Sequence, residues 1–204
     1  MNEKKSVARS PKTPAARKRA GKTTAMAASV QSADFLSDVK TLRERARKQI
    51  EAGAVTPGYS LKPETAAKIL NEALATELVC TLRYRLHSFT AKGINSEPIA
   101  AEFMVHSNEE LAHADLLAER IVQLGGDPEM NPSRLLGRSH AEYAVCNDLK
   151  EMIRENLIAE RIAIESYREM ILFFGAHDPT TRKMLEGILA MEEAHADELA
   201  DLLD

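Results

Sequence analysis

Apolar residues recur at helical spacing in four long stretches of the chain, and this pattern predicts four amphipathic α-helices. The stretches cover residues 63–91, 96–126, 147–174 and 178–204. Pro63 and Pro179 stand where a first helical turn tolerates proline, and Gly93, Gly125 and Gly175 follow last turns, where glycine is the usual stop signal. Each helix has about 25 residues and a length of roughly 37 Å at the standard rise per residue.

The connections between these helices predict their arrangement. The first and second helices, and likewise the third and fourth, are joined by short segments, which predicts two antiparallel hairpins. The connection over 127–145 is much longer and contains Pro132 and Gly137. A long connection between hairpins predicts an all-α four-helix bundle with one crossover.

The chain before the bundle has a different character. Residues 1–30 are rich in Lys, Ala, Ser, Thr and Pro without apolar periodicity, which predicts a disordered segment. Residues 32–51 are expected to form a short amphipathic helix around Phe35, Leu36, Val39 and Leu42, followed by a linker over 52–59. The predicted organisation is therefore a basic tail (1–30), a short helix with a linker (31–60) and the bundle (61–204).

Charge separates the tail from the rest. Residues 1–30 contain eight Lys or Arg and one acid, a charge of +7, so the remaining chain carries −11 (−4 − 7). Such a tail fits nucleic acid, but a solubilising segment and a transit peptide are alternatives. No apolar run reaches the roughly 18 residues that span a bilayer. With only two cysteines, the expectation is a cytoplasmic protein that does not act at a membrane.

A repeated pair of motifs carries the candidate chemistry. Each hairpin has a Glu followed seven residues later by a Tyr, and then, 33 or 32 residues after that Glu, a Glu-x-x-His motif. Residues three, four or seven apart share one helix face. The predicted metal ligands are Glu77, Glu110 and His113 from one hairpin and Glu160, Glu192 and His195 from the other.

Four carboxylates and two imidazoles facing one interior would be too costly to bury without a bound cation. This donor set suits iron or manganese, because zinc more often takes thiolates or fewer ligands. Six side chains shared by two ions leave coordination positions open. The repeat therefore predicts a two-metal centre.

Residues 70–203 resemble bacterioferritin, of the ferritin-like superfamily, in the run from Leu70 to Glu77, in Arg83-Tyr84, and in both Glu-x-x-His motifs. The resemblance implies a ferritin-like four-helix bundle that binds two iron ions per subunit. It further implies that Glu77 and Glu160 are terminal ligands, Glu110 and Glu192 bridge the irons, and the two histidines cap one iron each. Tyr84 matches a tyrosine that lends an electron to the centre.

Two departures from bacterioferritin shape the remaining expectations. The haem-binding methionine of that family is replaced by Leu111, so no haem is expected. The sequence ends at Asp204 without the family's fifth helix, which favours a homo-oligomeric shell of 12 subunits, as in Dps-like mini-ferritins, over 24.

The function implied is iron storage and detoxification, with Fe(II) oxidised by O₂ or H₂O₂ at the di-iron centre. One alternative is a DNA-binding, Dps-like protective protein whose tail binds nucleic acid. Another is a di-metal peroxidase or manganese catalase.

Several residues receive lesser expectations. An intrachain disulfide between Cys80 and Cys146 is not expected, because about 21 Å of helix separates Cys146 from the level of Glu160. Cys80 resembles thioferritin cysteines near the metals. Asn156 is a candidate hydrogen-bond partner of a ligand histidine. The remaining histidines, His87, His106, His140 and His177, are expected to be surface or satisfied groups.

Overall fold

The structure is a computed structural model that describes residues 37–203. Its helices are α1 (Val39–Ala46), α2 (Pro63–Thr90), α3 (Ser96–Gln123), α4 (Pro132–Leu135), α5 (Leu149–Phe174) and α6 (Pro179–Asp201). A 3₁₀ turn, Ile50–Ala52, follows α1. Among the residues described, none of these helices is long and apolar enough to cross a membrane.

The long helices form the predicted four-helix bundle. Helix α2 packs along α3, and α5 packs along α6, so that the two hairpins face each other. The crossover between α3 and α5 was predicted as a connection only, but it contains α4. Leu135 of α4 is buried against Ala75 and Val79 of α2, which fixes the crossover to the bundle.

The segment before the bundle differs from its prediction. The helix expected over 32–51 ends at Ala46, and Gln49 adopts a left-handed conformation before the 3₁₀ turn. Val39 and Leu42 are exposed, and no other side chain of this short helix is buried. Phe35, Leu36 and the predicted disordered tail over 1–30 lie outside the described residues.

Two apolar clusters occupy the bundle interior. The large core contains Leu70, Leu74, Leu117, Ile121, Phe174, Leu185 and Ile188, among others. The small core contains Phe103, Met152, Ile153 and Leu199, with the ring of Tyr84. Burial of each large side chain contributes roughly 1.5–3 kcal/mol. On every long helix, the predicted metal ligands lie between these two cores.

Asp178 joins three parts of the chain at one end of the bundle. As the N-cap of α6, its Oδ1 accepts a hydrogen bond from the backbone N–H of Thr181 at 2.9 Å. The Nη2 of Arg120 on α3 lies 2.9 and 3.0 Å from its two carboxylate oxygens. The hydroxyl of Tyr59 donates to Oδ2 at 2.9 Å. Although partial burial opposes the shift, the hydrogen bonds from Thr181 and Arg120 lower the pKa of Asp178.

Candidate metal centre

All six predicted ligand side chains lie in one polar layer between the two apolar cores. Their residues are at most 5% exposed: Glu77, Glu110, His113, Glu160, Glu192 and His195. Each long helix supplies its part of the set, because the spacing of three in the Glu-x-x-His motifs places both side chains on the inward face. The structure thus brings together every residue that the repeat singled out, and their role as metal ligands stays a prediction.

The six side chains form two overlapping groups of four. In one group, ligand atoms of Glu77 and His113 lie within 4.8 Å of each other and of Glu110 and Glu192. In the other, ligand atoms of Glu160 and His195 lie within 4.8 Å of the same two carboxyl groups. Glu110 and Glu192 therefore stand between two places where a cation could bind, as bridging carboxylates would.

Half of the oxygen and nitrogen atoms of these six side chains lack a hydrogen-bond partner among the described residues. These atoms are Glu77 Oε2, Glu110 Oε1, His113 Nδ1, both carboxylate oxygens of Glu192, and His195 Nδ1. A buried polar atom without a partner costs roughly 1–3 kcal/mol, so such atoms are rarely grouped without a ligand. Hard oxygens with two imidazole nitrogens are a donor set that iron or manganese accepts. The residues present therefore fit a pair of divalent cations.

Two buried tyrosines complete the layer, and each reaches across to the opposite hairpin. The Tyr84 hydroxyl on α2 donates to Glu160 Oε1 on α5. The Tyr167 hydroxyl on α5 donates to Glu77 Oε1 on α2. Sequence reasoning gave Tyr84 a role but none to Tyr167, although the repeated Glu–Tyr spacing of seven already marked it. Each tyrosine occupies one oxygen of its carboxylate and so orients the carboxyl group.

Burial and repulsion raise several carboxyl pKa values in this layer. Burial raises the pKa of Glu77, Glu160 and Glu192 above the ordinary value, and repulsion by Glu110 adds to each rise. Burial acts on Glu110 in the same direction, but its interactions with Glu77 and His113 outweigh it and lower the pKa. These raised pKa values favour protonated carboxyl groups, so any cation that binds this layer must displace protons.

For the two histidines, burial and the neighbouring carboxyl groups act on the pKa in opposite directions. Burial disfavours the imidazolium, but the nearby carboxyl groups of Glu110 and Glu77 raise the pKa of His113 to about 10. Glu110 and Glu160 likewise raise the pKa of His195 to about 9 against the effect of burial. His113 Nδ1 lies 2.9 Å from Glu192 Oε1, so a protonated imidazole at this place offsets part of the carboxylate charge.

The two histidines have unlike surroundings. His195 Nε2 lies 2.9 Å from Glu109 Oε2, and its ring stacks on His106 with a centroid separation of 4.1 Å. His113 instead lines a surface groove of about 600 Å³ whose other residues are mainly apolar. The prediction that Asn156 hydrogen-bonds to a ligand histidine is wrong, because its Oδ1 accepts from Arg83 Nε at 2.9 Å and its Nδ2 has no partner among the described residues.

Each of the other histidines has a partner for one ring nitrogen, but Nδ1 of His87 and Nδ1 of His106 are buried without a partner among the described residues. His87 and His106 are fully buried, with Nε2 at 3.1 Å from the Ala144 carbonyl and 3.0 Å from Glu198, respectively. His140 and His177 hydrogen-bond to Ser166 and Ser60.

Both cysteines are free thiols. Cys80 is buried one turn after Glu77, and its Sγ lies 3.9 Å from the guanidinium of Arg83. Burial raises the pKa of the Cys80 thiol, which therefore stays protonated at neutral pH.

Residues 67–204 match the family model of the ferritin-like domain. A bacterioferritin of Streptomyces coelicolor is 33% identical over 138 residues, which are 67% of this chain and 78% of that protein. A nutrient stress-induced DNA-binding protein of Synechococcus is 30% identical over 139 residues, covering 66% of this chain and 78% of the relative.

Among solved structures, this chain is similar to a dodecameric thioferritin, the bacterioferritin-related protein of Bacteroides fragilis. The two chains superpose with a TM-score of 0.67 and 31% identity, over 70% of this chain and 86% of the other. The family match, over residues 67–204, spans nearly all of the four long helices.

Proposed function

The chain belongs to the ferritin-like family, and on that premise we propose that its bundle oxidises Fe(II) as a substrate, two ions per chain, and passes the ferric product into storage. The observation that supports this most is the pair of buried four-residue groups sharing Glu110 and Glu192. Shared carboxylates hold two ions close enough for one oxidant molecule to take an electron from each.

The proposed reaction balances with either oxidant. Two Fe(II) ions lose one electron each, and O₂ accepts both electrons with two protons to give H₂O₂. With H₂O₂ as oxidant, the same two electrons and two protons break the O–O bond and give two water molecules. The iron leaves as Fe(III), whose oxides are the natural form of storage.

The protein residues supply geometry and charge. Glu77 and Glu160 each bind one ion from the outside, with their orientation fixed by Tyr167 and Tyr84. His113 and His195 cap the two ions and keep a defined distance from the shared carboxylates. The two apolar cores exclude water from both ends of the layer. We also assign Tyr84 the role of an additional one-electron donor to the oxidant, which is supported by the contact of its hydroxyl with the Glu160 carboxylate.

Stopped-flow oxidation of Fe(II) in the Glu110→Ala variant tests this proposal. Both groups of four residues lose a member, so the fast phase of Fe(II) oxidation should disappear and the reaction should slow at least 100-fold. Circular dichroism should show unchanged helix content. O₂ and H₂O₂ consumption per iron identifies the oxidant. Metal analysis of the purified protein distinguishes iron from manganese.

Glu119→Ala is the matched control, because Glu119 is an exposed glutamate on the same helix, more than two turns from Glu110. It should oxidise iron at the wild-type rate. If Glu110→Ala also oxidises iron at that rate, the proposed centre is wrong.

A second candidate function is DNA binding through residues 1–30. It is favoured by their charge of +7 and by the similarity to the DNA-binding protein of Synechococcus. Eight cations repeated on an oligomeric shell would bind phosphate with high avidity and steep salt dependence. In a gel-shift titration with rising salt, the full chain should retard DNA and a version lacking residues 1–30 should not. Equal retardation of DNA by both proteins would exclude the tail as the binding segment.

A further inference from the structure

A second set of ligand-type side chains lies at the surface, directly beside the His195 half of the centre. His106 on α3 is buried, with its side chain 1% exposed. Its Nε2 lies 3.0 Å from Glu198 Oε2 on α6 and 3.5 Å from Glu102 Oε1 on α3. The two glutamate side chains are 54% and 42% exposed, so solvent reaches this triad from outside. The three residues offer ligand atoms within 4.8 Å of one another.

The repeat within the chain provides an internal comparison for this triad. Adding 82 to a position on α3 gives its equivalent on α6, as with Glu110 and Glu192 or His113 and His195. By this rule the equivalents of Glu102 and His106 are Met184 and Ile188, and Glu198 is equivalent to Leu116. Those three apolar residues line the groove beside His113.

The two halves of the centre therefore have the same candidate ligands, but polar residues cover the His195 half and apolar residues cover the His113 half. Glu109, whose Oε2 lies 2.9 Å from His195 Nε2, continues the difference, since its equivalent is Met191 in the same groove. The equivalent positions beside His113 are filled by apolar residues, so packing of the bundle does not require polar ones. Packing therefore does not explain why the His195 side carries three carboxylates and an imidazole. A ligand specific to the His195 side accounts for the difference.

We propose that Glu102, His106 and Glu198 form a third divalent-cation site, distinct from the two positions of the central layer. Two carboxylate oxygens and one imidazole nitrogen are a ligand set for a divalent cation that keeps several water molecules. The partly exposed carboxylates allow a hydrated ion to arrive, and the buried imidazole fixes one coordination direction. Cation binding here does not depend on the proposed oxidation reaction.

The position of His106 connects this site to the centre. Its ring stacks on His195, and ligand atoms of His106, Glu160 and His195 lie within 4.8 Å of one another. An ion on the outer triad is therefore one imidazole away from a ligand of the inner layer. If the proposed function holds, this third site supplies Fe(II) to the centre or receives the ferric product.

Zinc titration of the metal-free full chain by calorimetry tests the proposal, because Zn²⁺ is redox-inert and accepts this donor set. The wild type should bind three Zn²⁺ ions per chain. Glu102→Gln/Glu198→Gln should bind two, with the third lost or weakened at least 100-fold. Gln is similar in size to Glu, and both positions are partly exposed, so the fold should persist; circular dichroism checks this.

Glu119→Gln/Glu169→Gln is the charge-matched control, since it removes two exposed acids from α3 and α5 and should still bind three ions. Anomalous diffraction from zinc-soaked crystals should show a peak bounded by the three residues. Unchanged stoichiometry in Glu102→Gln/Glu198→Gln, equal loss in the control, or no peak at the triad would overturn the proposal. Glu110→Ala separates the two hypotheses, because it should lose central ions and keep the third.

Discussion

Replacing Glu192 by glutamine should stabilise the metal-free bundle at neutral pH. Glu192 is fully buried, and apart from His113 Nδ1 at 2.9 Å from Oε1 its carboxylate oxygens have no partner among the described residues. Burial, followed by repulsion from Glu110, raises its pKa well above the ordinary value of 4.5. Glutamine has nearly the same shape but carries no charge, so it removes this cost without opening a cavity.

The magnitude follows from proton linkage. Because the folded-state pKa is raised, the folded chain binds more protons than the unfolded chain above pH 4.5, and the stability of the wild type falls as the pH rises. Between pH 4.5 and 7 this amounts to at most about 3 kcal/mol, at about 1.4 kcal/mol per pH unit. His113, whose Nδ1 lies 2.9 Å from Glu192, loses a partner in the variant. The expected gain is therefore about 1–3 kcal/mol at pH 7 and near zero at pH 4.5.

Guanidinium unfolding in the presence of a chelator, followed by circular dichroism, measures this gain. Protein concentration must be equal throughout, because assembly contributes to the apparent stability. Glu193→Gln is the control, since Glu193 is the exposed neighbour and its ion pair with Arg168 lies at the surface. Its effect should stay within about 1 kcal/mol at every pH.

Metal should reverse the order of stability. A ligand present at 100 times its Kd stabilises the folded state by about 2.7 kcal/mol, and the variant lacks one shared carboxylate with which to bind it. The reasoning is refuted if metal-free Glu192→Gln is less stable than the wild type at pH 7. It is equally refuted if the difference does not shrink toward pH 4.5.

Three further predictions concern the surroundings of the centre and the assembly. Asp178→Ala should lower the free energy of unfolding by about 3–5 kcal/mol, because Arg120 is left buried without its carboxylate. Denaturant unfolding measures this loss, and an effect below about 1 kcal/mol would contradict the prediction. Tyr84→Phe and Tyr167→Phe should each weaken central zinc binding by about 10–100-fold in calorimetry, whereas unchanged affinity would show that the hydroxyls do not position the carboxylates. Light scattering should give about 270 kDa for twelve 22.5 kDa chains; about 540 kDa would instead indicate 24.

The sequence predicted the long helices and the polar layer because both depend on local spacing. A Glu-x-x-His motif places its two side chains on one face whatever the rest of the chain does, and its second occurrence fixes which faces meet. Proline and glycine marked the ends of the same helices, for instance Pro179 at the start of α6 and Gly175 after α5. Patterns of this kind need no knowledge of tertiary contacts.

The parts that were missed depend on contacts between distant residues. His106 and Glu198 are 92 positions apart, and nothing in the local pattern distinguishes either from a solvated side chain. Asn156 was assigned to a histidine from its place one turn before Glu160, but the guanidinium of Arg83 on α2 takes its oxygen. Helix α1 ends at Ala46 and none of its side chains is buried, so helical spacing alone predicted the end of this helix too far along the chain.

The duplicated hairpin explains why the centre is symmetric in its ligands and asymmetric in its access. In the proposed two-ion centre, equivalent ligand positions must agree in residue type, since each ion would need a carboxylate, an imidazole and the two shared groups. Positions one layer outward are free to differ, and they do: Glu109 faces His195, whereas its equivalent, Met191, lines the groove at His113. The electrostatic potential around His195 is therefore more negative than that around His113, and a negative potential attracts cations. The apolar groove at His113 suits a neutral molecule. Two ions bound in such a centre are chemically inequivalent even though their ligands match.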